Sequence, residues 1–135
     1  MHNHPIASVI DDDESVRTAM SSLVRSLDWD VRLYASAEAF LASGIANHVA
    51  CIISDVQMPG MNGLDMYRHL LERGVTQPII FISAFASDAV RRQALDLGAM
   101  CVLTKPVDGA EVSRCLARLG PDGAPRGSPK GSPGE

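Results

Sequence analysis

Asp55 closes the apolar run Cys51-Ile52-Ile53-Ser54 and is followed at once by Val56-Gln57-Met58-Pro59-Gly60-Met61-Asn62-Gly63. A β-branched run of this kind reads as a buried strand, and Pro59, Gly60 and Gly63 read as a loop, so the carboxylate falls at the C-terminal edge of a strand. In a parallel sheet that edge is where ligands bind, although an Asp at a strand end also serves to cap the next loop or helix. Two more apolar runs end in charge: Asp11-Asp12-Asp13 follow Ile6-Ala7-Ser8-Val9-Ile10, and Lys105-Pro106 follow Met100-Cys101-Val102-Leu103-Thr104. Three carboxylates converging without a cation repel, and at least one gains a raised pKa. A divalent cation removes that conflict, and oxygen-only ligands favour Mg²⁺, or Mn²⁺, over zinc. Lys105 is the only lysine before Lys130 among 12 basic residues, a compact point charge suited to a phosphoryl oxygen or a carboxylate.

These groups need a sheet to gather them. Apolar strand-like runs begin near Ile6, Val31, Val49, Pro78 and Met100, and segments with helical periodicity separate them. The first helix is expected over 14–27, with Val16, Met20, Leu23, Val24 and Leu27 inward and Asp12 or Asp13 as its cap. The second spans 36–43, between Ser36 as N-cap and Gly44 as stop. The third runs from Asn62 or Gly63 to Arg73, burying Leu64, Tyr67, Leu70 and Leu71, with Gly74 closing it. The fourth covers 87–97 before Gly98 and buries Val90, Ala94 and Leu97; the fifth covers 108–119 and buries Val112, Cys115, Leu116 and Leu119. Five alternations of strand and helix predict an α/β fold of parallel βαβ units with helices on both faces.

At 135 residues, 46% apolar and 21% charged, the chain reads as one globular domain with a real core. No apolar run approaches the ~20 residues that cross a bilayer, and the start lacks the basic and apolar regions of a secretory signal, so no membrane contact and a cytoplasmic location are expected. A formal charge of −4 argues against a nucleic-acid surface on this domain. Arg91-Arg92, the only basic pair, reads as a solvated helix face. Cys51, Cys101 and Cys115 lack metal-type spacing and lie in apolar segments, as small core hydrophobes do. Residues 1–5 form an N-terminal tail and 6–119 the folded domain. Residues 120–135, with Pro121, Pro125, Pro129 and Pro133 at a strict spacing of four and no apolar side chain larger than alanine, read as a disordered tail or linker.

The set Asp11/Asp12, Asp55, Ser83-Ala84 and Lys105-Pro106, in that order and at those intervals, resembles the receiver domain of two-component response regulators over residues 6–119. Ser36-Ala37-Glu38-Ala39-Phe40-Leu41 is similar to the FixJ-type receivers. The resemblance implies a doubly wound five-stranded parallel sheet in the order 2-1-3-4-5. It implies Asp55 as phosphorylation site, and Asp12, Asp55 and the backbone carbonyl of Gln57 as direct ligands of Mg²⁺, with Asp11 acting through water. Ser83, the Ala84 backbone N–H and Lys105 would bind the phosphoryl group, across a cis Lys105–Pro106 peptide. Taken alone, Ser83 reads as a strand-end hydroxyl bonding its own backbone, and Asp13 and Glu14 as helix caps. The partner implied is a sensor histidine kinase or phosphotransfer protein, with a homodimer through the fourth helix, fifth strand and fifth helix also open.

Val102 stands where receivers usually carry the Tyr or Phe that rotates on activation, so switching is expected to involve Ser83 and Phe85 instead, and a β-branched residue has few rotamers to offer. Two other readings compete. Asp11-Asp12-Asp13 also fits the Asp-x-Asp nucleophile motif of a haloacid-dehalogenase-type phosphatase, which leaves Asp55 without a role. The second is a non-phosphorylated pseudo-receiver scaffold, against which the intact Asp12, Asp55, Ser83 and Lys105 stand.

Overall fold

The computed structural model describes residues 4–119. Five parallel strands, β1 (Ile6–Ile10), β2 (Asp30–Tyr34), β3 (Cys51–Asp55), β4 (Ile79–Ser83) and β5 (Cys101–Thr104), form one sheet in the order β2-β1-β3-β4-β5. Helices α1 (Glu14–Ser26), α2 (Ala37–Ser43), α3 (Gly63–Glu72), α4 (Asp88–Leu97) and α5 (Gly109–Ala117) connect them. Successive strand residues point to opposite faces, and each face carries its own core. Ile10, Ile52, Ile79, Phe81 and Val102 pack with Phe40 of α2, Leu64, Met66 and Leu70 of α3 and Ala94 of α4. Ala7, Val9, Ile53, Ile80 and Ile82 pack on the other side with Met20 and Val24 of α1 and Val112 and Leu116 of α5. The expected doubly wound architecture and strand order are those observed.

Local chemistry ends the helices close to where the sequence places them. Asp13 caps α1 by accepting from the Ser15 and Val16 amides, and α1 stops at Asp28, whose φ of 70° breaks the helix. Ser36, Asn62, Ser87 and Asp108 cap α2, α3, α4 and α5 in the same way, and Gly44 and Gly98 close α2 and α4 in left-handed conformation. Strand limits differ more: Val49, Ala50, Pro78 and Met100 precede their strands, and Ala46–His48 forms a short 3₁₀ turn with no counterpart in the sequence reading. Of the expected N-terminal tail, His4 and Pro5 are tied down, the ring of His4 to the Asp28 carbonyl at 2.9 Å and the Pro5 carbonyl to the Asp30 amide at 2.8 Å. Residues 120–135, read as a disordered tail or linker, lie outside the described residues.

Arg91 is not the solvated residue its basic neighbour suggests. It is half-buried, and its guanidinium donates to the Val102 carbonyl at 2.8 Å, fastening α4 to the edge strand β5. The cysteines are free; burial raises the Cys51 thiol and pushes the Cys115 thiol up to about 12, as expected of core hydrophobes. No helix among the described residues is long and apolar enough to cross a membrane.

Among the described residues, one buried hydroxyl away from the charged sheet edge has no partner. Ser8 Oγ, at the middle of β1, is fully buried without a hydrogen bond. Ser8→Ala removes a desolvated hydroxyl and leaves almost no cavity, so it should stabilise the fold by about 1 kcal/mol. A higher urea midpoint at unchanged m-value is the expected readout, and a lower midpoint would show that the hydroxyl is satisfied.

Candidate functional site

The site lies at the C-terminal edge of the sheet, where the strand order reverses between β1 and β3. Register sets it up: Ile10 of β1 pairs with Ser54 of β3, Asp55 pairs with Ile82 of β4, and Ser83 pairs with Thr104 of β5. The residues just past these strand ends, Asp11 and Lys105, therefore rise beside Asp55. The Lys105 ammonium stands 3.0 Å from Asp55 Oδ2, where it donates a hydrogen bond, and 3.0 Å from Asp11 Oδ2. Asp11, Asp12 and Asp55 each bring a carboxylate oxygen to within 4.8 Å of the others. The Lys105–Pro106 peptide is cis.

Backbone contacts hold these side chains in place. The second oxygen of Asp11 accepts from the Asp13 amide at 2.9 Å, and Arg17 donates to the Asp11 carbonyl at 2.7 Å, so α1 and the turn before it orient the first carboxylate. Gly63, the first residue of α3, donates its N–H to the Val56 carbonyl at 2.8 Å. A Cβ at this position would collide with the Asp55 carbonyl oxygen and crowd the Phe81 ring. Only glycine lets α3 start so close beneath Asp55.

Asp11 and Asp55 are buried, at 0% and 4% exposure, while Asp12 is exposed. Burial lifts the Asp55 carboxyl above its ordinary value, the Lys105 hydrogen bond opposes the rise, and the Asp11 charge adds to it. Burial alone would lower the Lys105 ammonium, but its contacts with Asp11 and Asp55 outweigh that and raise it. The Asp55 rise is thus mainly a cost of burial, whereas the Lys105 rise comes from the two carboxylates it faces. Asp55 Oδ1 is buried with no hydrogen-bond partner. An all-oxygen donor set with an orphaned buried oxygen fits a hard divalent cation such as Mg²⁺ or Mn²⁺.

Asp13 belongs to the helix instead. It accepts from the Ser15 hydroxyl at 2.7 Å and from the Ser15 and Val16 amides, and these bonds hold its carboxyl below its ordinary value. The second Asp of an Asp-x-Asp nucleophile motif is thereby spent on a cap, which removes the support for the dehalogenase-type reading.

Ser83 is fully buried, at the end of β4, and Ala84 and Phe85 follow it on the surface, Phe85 at 75% exposure. Its hydroxyl accepts from the Phe85 amide at 3.1 Å, the local strand-end bond that its residue type suggests, and donates to Gln57 Oε1 at 2.6 Å. The second bond joins the loops after β3 and β4 and has no sequence signal, because it spans 26 residues between polar groups of ordinary type. Val102 is buried in the core beneath α4.

Residues 7–117 match the response regulator receiver domain family. The chain is 43% identical over 98 residues to the response regulator protein TodT of Pseudomonas putida, an alignment covering 73% of this chain and 43% of TodT. It is 36% identical over 104 residues to the transcriptional regulatory protein FixJ of Azorhizobium caulinodans, covering 77% of this chain and 49% of FixJ. The chain thus spans less than half the length of these relatives. Among solved structures, the response regulator StyR superposes with a TM-score of 0.79 at 29% identity, covering 86% of this chain and 59% of that one. FixJ-N superposes at 0.75 and 26%, covering 87% and 93%. With its fold, its strand order and the acidic cluster at the switch point in agreement, the chain belongs to the response regulator receiver domain family.

Proposed function

We propose that this domain accepts a phosphoryl group on Asp55 from a sensor histidine kinase or phosphotransfer protein, and changes its binding to partners as a result. The observation that carries this reading is Asp55 itself, buried at the end of the central strand with Oδ2 on Lys105 and Oδ1 without a partner, beside Asp11 and Asp12. Asp12, Asp55 and the Gln57 backbone carbonyl would hold Mg²⁺, or Mn²⁺, with Asp11 acting through water. Once bound, the cation supplies positive charge for the equatorial phosphoryl oxygens. An Asp55 oxygen forms its bond to phosphorus as the bond to the donor's imidazole nitrogen breaks, and that nitrogen keeps the electron pair. Lys105, Ser83 and the Ala84 backbone N–H then bind the transferred group.

A groove of about 290 Å³ adjoins Lys105, with Val16, Met20 and Leu23 of α1 and Val107 along its wall. It would offer a phosphodonor protein an apolar contact beside Asp55. The domain is read as cytoplasmic and as making no nucleic-acid contact of its own, and a homodimer would use α4, β5 and α5.

Incubation with a small phosphodonor and Mg²⁺ should add one phosphoryl group per chain, visible in the intact mass and removed by hydroxylamine as an acyl phosphate is. No uptake, or uptake on a residue other than Asp55, would overturn the reading.

Switching has to work without an aromatic at position 102. Val102 is packed into the core and its carbonyl is held by Arg91, so the moving parts we assign are the 83–87 loop, with Phe85 exposed on it, and α4. Amide spectra with and without a phosphoryl mimic should differ most over residues 83–94. Shifts confined to the neighbours of Asp55 would mean that the signal does not reach this face.

A further inference from the structure

Ser83 has one hydroxyl proton, and a hydroxyl can donate only one hydrogen bond at a time. That proton is directed to Gln57 Oε1 at 2.6 Å, while the oxygen accepts from the Phe85 amide at 3.1 Å, so both roles of the hydroxyl are filled by protein groups. We propose that the Gln57 side chain is a latch on the resting state: it occupies the Ser83 hydroxyl, and a phosphoryl group on Asp55 must displace it before Ser83 can turn to the new oxygens.

The inference rests on Asp55 being the acceptor, and adds to that reading a regulatory role for a side chain whose backbone carbonyl alone is assigned to the cation. Two observations define the latch. Gln57 is exposed, so its amide oxygen turns to water when released, and opening costs one neutral hydrogen bond without stranding a buried acceptor. Ser83 is fully buried, so its hydroxyl has no such alternative and moves only when another acceptor arrives. The bond also joins the two loops that border the site, the one after Asp55 and the one leading to α4. Its release frees the 83–87 loop from the loop carrying Gln57. Gln57 is thus a positioning residue that acts through Ser83.

A two-by-two set of variants tests this: wild type, Gln57→Met, Ser83→Ala and the double variant, each titrated with fluoroberyllate and Mg²⁺ at equilibrium, with the Phe85 amide followed by NMR. Methionine keeps the length of glutamine and removes its acceptor, and the exposed position tolerates it. Fluoroberyllate binding avoids hydrolysis of an acyl phosphate, so any effect of Gln57 on attacking water does not enter. With Ser83 present, Gln57→Met should bind fluoroberyllate about two- to tenfold more tightly, the worth of one neutral hydrogen bond. In the Ser83→Ala background the same substitution should change nothing, and the resting Phe85 amide should shift in Gln57→Met only when Ser83 is there to respond. An equal factor in both backgrounds, or no factor in either, would overturn the latch while wild-type binding leaves the receiver reading intact. Wild-type protein that binds no fluoroberyllate would overturn the receiver reading and the latch with it.

Discussion

Asp55→Asn should take up no phosphoryl group under conditions that label the wild-type chain, and should also melt at a higher temperature at neutral pH. The first effect follows from loss of the nucleophilic oxygen, and labelling of the variant at the wild-type rate would remove Asp55 from its role. The second follows from the position of the carboxylate. Burial, with the Asp11 charge added, keeps the Asp55 carboxyl above its ordinary value, so the native state holds this proton more tightly than the unfolded chain does. The stability it contributes is complete below the unfolded value, about 3.9, and is lost as pH rises through the raised native value. Asparagine is neutral throughout and carries no such loss. Its advantage over the wild type should therefore open across that window and level off above it. A difference in melting temperature that is the same at acid and neutral pH would show that ionisation of Asp55 is not its source.

Asp12→Ala and Asp13→Ala should fail in different ways although the residues are adjacent. A cation that binds only the native state at a hundredfold excess over its Kd stabilises it by about 2.7 kcal/mol. Asp12 offers an oxygen to the cluster with Asp11 and Asp55, so Asp12→Ala should weaken Mg²⁺ binding by more than roughly a hundredfold and abolish this stabilisation. Asp13 caps α1, so Asp13→Ala should lower stability by about 1 kcal/mol, with or without Mg²⁺, and keep its metal response. Thermal melts in Mg²⁺ and in EDTA separate the two. A metal response kept by Asp12→Ala and lost by Asp13→Ala would exchange their roles.

What could be seen in the sequence was whatever local chemistry determines. Ser36, Ser87, Gly44 and Gly98 announce helix ends because capping is a property of one residue and its near neighbours. The strand-end positions of Asp11, Asp55 and Lys105 are equally local, and parallel register then brings them together. The rest depends on contacts between distant parts of the chain. Met66 is fully buried, yet it lies off the stripe of Leu64, Tyr67 and Leu70, because α3 is covered over a wider arc than its own periodicity reveals. Ala46–His48 is too short for any period. Arg91 looks like a surface residue until Val102, on the adjacent edge strand, supplies its carbonyl. Gln57 has the same character: its backbone role comes with the family resemblance, but the hold of its side chain on Ser83 exists only once two loops have been folded side by side.

β3 and β4 are buried at all five positions of each, whereas Gln57, Ala84, Phe85 and Ser87 lie at the surface immediately beyond them. In hydrogen-exchange terms this divides the site into two populations. Amides of 51–55 and 79–83 should exchange only when the whole domain opens, while those of 84–87 should exchange through small local fluctuations. Asp55 thus stands on a segment expected to exchange among the slowest, bordered by one expected to exchange among the fastest. If Asp55 carries an acyl phosphate, its survival should then follow the breathing of these four residues more than the stability of the sheet beneath it.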